Sequence, residues 1–133
     1  MLRSAVTTVA SKFFYKKDTP SMFDSWRVMK DKDGVMAGDC DDFAITCFWH
    51  YSGENLIKFL WNLLVTHNYR LYRAKTIKGQ YHVVGAVDGQ WFDNWTYEPL
   101  SKNEFLYQTK HTILHIYPSP VTAFYMLIGL SVK

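Results

Sequence analysis

The chain has 133 residues, enough to bury one hydrophobic core, which corresponds to a single domain. Hydrophobic residues make up 48% of it and aromatic residues 17%, so the composition excludes an intrinsically disordered protein. The formal net charge of +3 is too small to require a nucleic-acid partner, although it allows weak attraction to anionic surfaces.

The N-terminal segment predicts an amphipathic helix followed by a shorter one. Apolar residues recur at helical spacing at Leu2, Ala5, Val6, Val9 and Phe13, before a polar run at 16–18. Ser21 and Asp24 form a capping pair for a short helix that carries Trp26 and ends at Met29. Because the first residues lack the sustained apolar core of a secretory signal, we expect a cytoplasmic protein.

The stretch 38–44, Gly-Asp-Cys-Asp-Asp-Phe-Ala, follows a predicted surface loop and begins a helix at Cys40. Asp39 is suited to the N-cap, and Asp42 suits the positive end of the helix dipole. Apolar residues continue at helical spacing until Gly53, where the helix is expected to end. A thiol in this position is predicted to have a lowered pKa and to be a usable nucleophile. The alternative is a small buried cysteine that merely starts a core helix.

The two cysteines are predicted to be free thiols. Cys47 lies seven residues after Cys40 on the same predicted helix. This spacing separates the two residues by roughly 10 Å along the helix axis, which is too far for a disulfide. Free thiols fit a reducing compartment or a catalytic role.

Further elements follow in the second half of the chain. An apolar stripe predicts a helix over 56–65, with Glu54 in its first turn; its residues are Leu56, Ile57, Leu60, Leu64 and Val65. Residues 69–77 predict a strand, Ser101 with Glu104 predicts a capped helix, and 111–117 predict a final strand. The apolar tail at 121–132 is too short to cross a bilayer, so we expect no membrane span.

A β-hairpin is predicted around Asp88-Gly89, with strands at 81–87 and 90–95. If these two residues form the loop, Val87 faces Gln90, and the same register continues along both strands. Facing partners and residues two apart along a strand share one face of a sheet. His82 and Asp93 are therefore predicted to be diagonal neighbours on one face, with Asn94 pointing away.

Cys40, His82 and Asp93 are the residue types of a Cys-His-Asp catalytic triad. The imidazole takes the thiol proton and later gives it to the leaving group, while the carboxylate fixes the imidazole tautomer. We expect a thiol-dependent hydrolase or acyltransferase that acts on a peptide or amide bond through an acyl-enzyme. The backbone amide of Cys40 would be one donor of the oxyanion hole.

The motifs resemble those of a known family. Gly-Asp-Cys-Asp-Asp-Phe-Ala, Tyr-His-Val-Val at 81–84 and Phe-Asp-Asn-Trp at 92–95 resemble the bacterial and phage transglutaminase-like cysteine peptidases, over about residues 26–95. The resemblance implies one α+β, papain-like domain over 1–133, with N-terminal helices and the cysteine helix packed on an antiparallel sheet. It also implies a protein or peptide substrate, Cys40 as nucleophile, His82 as base and Asp93 as orienting residue. By analogy with the family, the Trp26 indole N–H is the second oxyanion donor, or else Trp26 is an aromatic anchor in the core. A phage-encoded protein that acts in a host cell is one interpretation.

The cofactor expectation is none, with calcium as the alternative. Some relatives bind calcium through acids that flank the nucleophile, which here are Asp39 and Asp41, and carboxylates suit that ion. Two carboxylates are too few to fill its shell, and helix capping already explains Asp39. A zinc site is disfavoured because the other histidines lack paired-ligand spacing and are read as surface or satisfied residues: His50, His67, His111 and His115.

Two non-catalytic alternatives also stay open. A binding module on the same fold would keep the architecture without turnover. The strand predicted at 69–77 and the residues after it carry a strip of alternating basic and aromatic side chains: residues 70, 73, 75 and 78 are basic, and Tyr69, Tyr72 and Tyr81 are aromatic. The strip would bind nucleic acid, or else it is a solvated edge strand.

Overall fold

A computed structural model describes residues 2–15, 28–29, 31–118, 120–123 and 126. Its helices are α1 (Leu2–Lys12), α2 (Cys40–Tyr51), α3 (Leu56–Leu60), which continues as a π-helical turn (Trp61–Val65), and α4 (Lys102–Thr109). Its strands are β1 (Phe13–Tyr15), β2 (Met36–Gly38), β3 (Tyr69–Lys75), β4 (Tyr81–Val87), β5 (Gln90–Phe92), β6 (Leu100–Ser101) and β7 (Thr112–Ile116). The fold is α+β, as expected.

The N-terminal helix is confirmed, but it ends earlier than the apolar spacing indicates. The helix buries Leu2, Ala5, Val6 and Val9. Phe13 instead starts β1, which pairs in parallel with β2 through Phe13 and Met36. The surface loop predicted over 31–38 is therefore wrong at its end, because pairing with β1 and burial of Met36 make 36–38 a strand. The predicted helix that ends at Met29 lies almost entirely outside the described residues.

Helix α2 begins and ends where the sequence predicts. The Asp39 side chain accepts a hydrogen bond from the Asp42 N–H at 3.4 Å, and the helix ends at Ser52 and Gly53. Every residue from 41 to 48 is buried, since α2 packs against both α1 and β4. The helix is thus enclosed along most of its length, with Cys40 at its half-buried start.

The apolar stripe predicted for the next helix is correct only at Leu60 and Leu64, which are partly buried against the core. The buried residues are Phe59 and Leu63, whereas Leu56, Ile57 and Val65 are 58%, 80% and 54% exposed. The helix is capped by the Asn55 side chain, which precedes its first turn. A π-helical turn has more residues per turn than an α-helix, so a uniform 3.6-residue period misplaces Val65, which lies in that turn.

The main sheet has five antiparallel strands in the order β6-β5-β4-β3-β7. The predicted hairpin register is confirmed, since Val87 pairs with Gln90 and the loop residues Asp88 and Gly89 have φ of 49° and 78°. Strand β5 is shorter than predicted and ends at Phe92. Pairing between β4 and β5 therefore stops at Gly85, and the first half of β4 has no β-strand partner on that side among the described residues.

Hydrophobic clusters cover both faces of this sheet. The larger cluster includes Val83, Val87 and Phe92 together with residues of α1 and α2. The smaller one joins Val84, Ala86 and Trp91 to Leu100 and Phe105, which lies on α4. The Ser101 side chain caps α4 by accepting from the Glu104 N–H at 3.3 Å, as predicted.

No helix within the described ranges is both long and apolar enough to cross a membrane. The apolar tail at 121–132 lies mostly outside those ranges, so the prediction for it stays a prediction.

Candidate active site

The unpaired half of β4 is where α2 meets the sheet. In an antiparallel strand, alternate N–H groups point to the same neighbour, so Val83 directs its N–H to the side that β5 leaves open. This N–H donates a hydrogen bond to the Cys40 Sγ at 3.4 Å. The start of α2 thus lies against the residue that follows His82. Among the described residues, no hydrogen bond joins the thiol to the His82 ring itself.

His82 and Asp93 are in direct contact, as the hairpin register predicts. His82 Nε2 lies 2.8 Å from Asp93 Oδ2, and both side chains are buried. The other carboxylate oxygen, Oδ1, accepts the N–H groups of Trp95 and Thr96, each at 2.9 Å. The turn that follows β5 therefore holds the carboxylate in a fixed orientation.

The electrostatics of Asp93 determine which nitrogen of His82 carries a proton. Burial alone would raise the pKa of Asp93, but hydrogen bonds from His111 and His82, and from the Thr96 N–H, hold it well below its usual range. An ionised carboxylate can only accept hydrogen bonds, so His82 must donate from Nε2. In the neutral ring, Nδ1 then keeps the lone pair that a general base needs.

His111 is the residue that sequence reasoning missed. Its Nε2 lies 2.9 Å from the same Asp93 oxygen, and its side chain is fully buried. Ala74 pairs with His82 on one side and with Ile113 on the other, so the three residues share a face of the sheet. His111 immediately precedes β7, and the alternation of the strand extended by one residue places it on the side of Ile113, which was the available signal. The sequence did not show that β7 lies beside β3.

The Cys40 thiol does not have the lowered pKa expected for a cysteine at a helix start. Burial raises the pKa of Cys40 well above its usual value, and the carboxylates of Asp41 and Asp39 raise it further. The backbone N–H groups of Val83 and Asp41 act in the opposite direction but do not compensate. The thiol is therefore neutral at neutral pH, and attack on a carbonyl needs a base to remove its proton.

Three carboxylates lie close together at the start of α2. One oxygen from each of Asp39, Asp41 and Asp42 lies within 4.8 Å of the others. Burial raises the pKa of Asp41 well above its usual value, as do a hydrogen bond with Asp39 and the charges of Asp39 and Asp42. Burial and the neighbouring carboxylates therefore make Asp41 harder to ionise than an exposed aspartate, and the calcium alternative for Asp39 and Asp41 stays a prediction.

The glycine of the 38–44 motif is required by close packing. A Cβ at Gly38 would lie 2.7 Å from the Met29 Sδ and 2.8 Å from the Asp42 Cβ. Any larger residue at Gly38 would push on the first turn of α2 and hence on Cys40. Trp26, the candidate oxyanion donor, lies outside the described residues, so its role stays a prediction.

Only part of the basic and aromatic strip is exposed, at Arg70, Lys75, Lys78 and Tyr81, so the nucleic-acid alternative stays a prediction. Tyr69 is 3% exposed, Tyr72 stacks on Trp91 at 4.4 Å, and the Arg73 guanidinium lies 4.1 Å from the Tyr81 ring centre. The edge-strand alternative is wrong, because β3 lies between β4 and β7.

No protein-family model matches this chain, and no curated protein matches it.

Proposed function

We propose that the protein is a thiol-dependent hydrolase or acyltransferase, with Cys40 as nucleophile, His82 as general base and Asp93 as the residue that orients the base. The observation that carries the proposal is the 2.8 Å hydrogen bond between His82 and Asp93, a buried carboxylate that backbone N–H groups hold in place. His82 immediately precedes Val83, whose N–H donates a hydrogen bond to the Cys40 thiol. Its substrate class is a peptide or amide, and its fold is papain-like, as in the transglutaminase-like peptidases that the motifs resemble.

The raised pKa of the thiol favours one order of events. Cys40 stays protonated until a carbonyl is in place. His82 Nδ1 then removes the thiol proton as Sγ attacks the carbonyl carbon, and the Asp93 carboxylate stabilises the imidazolium that forms. The imidazolium returns the proton to the leaving group. Water or an amine then attacks the thioester, which regenerates the thiol.

The same raised pKa favours a second candidate, a non-catalytic binding module on this fold. In that case Cys40 is a structural thiol, and its reactivity does not depend on His82. The two candidates therefore differ in a single measurable property.

Alkylation by iodoacetamide, followed by peptide mass, separates the two candidates. We expect Cys40 to react faster than the fully buried Cys47 at neutral pH, and His82→Ala to slow Cys40 alkylation several-fold because the base is lost. The matched control is His115→Ala, which removes an exposed histidine from β7 and is expected to change nothing. If Cys40 reacts no faster than Cys47, or at the same rate without His82, the catalytic proposal is overturned.

A further inference from the structure

His111 places a second imidazole against the Asp93 carboxylate, whereas a Cys-His-Asp triad needs only one histidine there. The rings of His82 and His111 lie 4.9 Å apart at their centres and contact the same Asp93 oxygen at 2.8 and 2.9 Å. The His111 ring also packs against Trp95 at 4.7 Å and Phe105 at 5.8 Å. Ala74, which lies between His82 and Ile113 in the sheet, is a small residue and leaves room for this approach.

We propose that His111 is a positioning residue: its Nε2–H holds Asp93 in the orientation that faces His82, and it shares the negative charge that His82 would otherwise receive alone. The proposal rests on the proposed function, because it concerns the orienting carboxylate of that site.

The hydrogen bonds of Asp93 support a single orientation. A carboxylate accepts about four hydrogen bonds. Oδ1 accepts from Trp95 and Thr96, and Oδ2 accepts from His82 and His111. All four positions are therefore filled by groups on three different segments. Rotation of the carboxylate would break several of these bonds inside the core, where an unpaired polar group is costly.

The second nitrogen of His111 shows which form of the ring fits. Its Nδ1 is buried and, within the described ranges, has no hydrogen-bond partner. A proton on Nδ1 would be a buried donor without an acceptor, so the ring suits a single N–H at Nε2. The same observation disfavours a metal ion on the three ligand atoms of His82, Asp93 and His111, although these lie within 4.8 Å of one another. A metal on Nε2 would move the His111 proton to Nδ1.

Removal of the His111 N–H donor should strengthen the electrostatic interaction between the Asp93 carboxylate and the His82 ring. The titratable groups that face the His111 ring are His82 and Asp93, since Trp95 and Phe105 are uncharged. Without His111, the charge of Asp93 acts on His82 alone and favours its imidazolium. The expected effect on Cys40 is slower alkylation, because an imidazolium cannot act as the base.

The experiment compares His111→Phe, which fills the space without a donor, with His111→Gln, which keeps a side-chain N–H. Imidazole ¹⁵N spectra and Cys40 alkylation rates are recorded for the full chain from about pH 5 to about pH 8. In the wild type we expect both histidines to carry their proton on Nε2 at neutral pH. In His111→Phe we expect the protonation midpoint of His82 and the alkylation profile to move to higher pH, with His111→Gln close to the wild type.

Three results would overturn the proposal. One is a wild-type spectrum with the His111 proton on Nδ1. Another is identical His82 titrations in the Phe and Gln variants, which indicates a packing role. The third is stoichiometric binding of Zn²⁺ by the wild type that His111→Phe abolishes, which indicates a metal site. If wild-type alkylation does not depend on His82, the proposed function fails, while the spectra still decide the role of His111.

Discussion

At the scale of single residues, two buried aspartates near the thiol have opposite electrostatics. Asp93 accepts hydrogen bonds from two histidines and two backbone N–H groups, which keep its pKa low despite burial. Asp41 is buried beside Asp39 and Asp42, so its pKa is raised. Residue type alone identifies both as candidate acids. Their ionisation depends on burial and on the surrounding donors and charges, and burial of the thiol is the main reason why the sequence predicted the wrong direction for the Cys40 pKa.

Asp41→Asn should make the protein both more stable and more reactive at neutral pH. The raised pKa of Asp41 means that its contribution to stability is full at low pH and is lost as the pH rises through the folded-state pKa. Asparagine does not ionise, so the variant does not lose this stability as the pH rises. Its free energy of unfolding in urea should therefore exceed that of the wild type at neutral pH, and the difference should shrink near pH 4. Removal of the charge also lowers the Cys40 pKa, and each unit gives about tenfold more thiolate.

Asp33→Asn is the matched control, because Asp33 lies exposed in a turn with φ of 54°, which asparagine tolerates. It should leave both the stability and the alkylation rate of Cys40 unchanged. A less stable Asp41→Asn protein, or slower alkylation of Cys40, would contradict the electrostatic account of the thiol.

At the scale of elements, local signals predicted the parts of the site that local geometry determines. The Asp88-Gly89 turn fixed the register that brings His82 to Asp93, and Asp39 fixed the first turn of α2. The position of β7 beside β3 depends instead on packing over Ala74, a contact between distant segments. His111 was missed for this reason. The sequence did not predict the π-helical turn after α3, because no periodic pattern of apolar residues distinguishes it from an α-helix.

Gly38→Ala should destabilise the protein by about 1–3 kcal/mol, because the added Cβ enters a packed region against Met29 and Asp42. It should also change the alkylation rate of Cys40, since Asp42 lies in the first turn of α2. Urea unfolding and alkylation measure the two effects. Thr7→Ala is the control, because Thr7 is exposed in the middle of α1 and alanine is a good helix former, so the stability should change little. Equal stability of the two variants would refute the packing argument.

At the scale of the whole molecule, the candidate site lies at the first half of β4, which β5 is too short to reach. Cys40 comes from α2 on one face, and His82 shares the other face with Val84 and Ala86. The shortness of β5 leaves the Val83 N–H available to the thiol. The sequence predicted an α+β fold with the cysteine helix on an antiparallel sheet. It did not predict the strand order, which is set by tertiary contacts.

The most direct test of the account is acylation by p-nitrophenyl acetate, an activated ester. The account predicts a burst of one p-nitrophenolate per chain, with the acetyl group on the Cys40 Sγ and the thiol proton taken by His82. His82→Ala should reduce the acylation rate on the order of 100-fold. A chain that releases p-nitrophenolate without a burst, or that carries acetyl groups on lysines but none on Cys40, would contradict the catalytic role of the thiol.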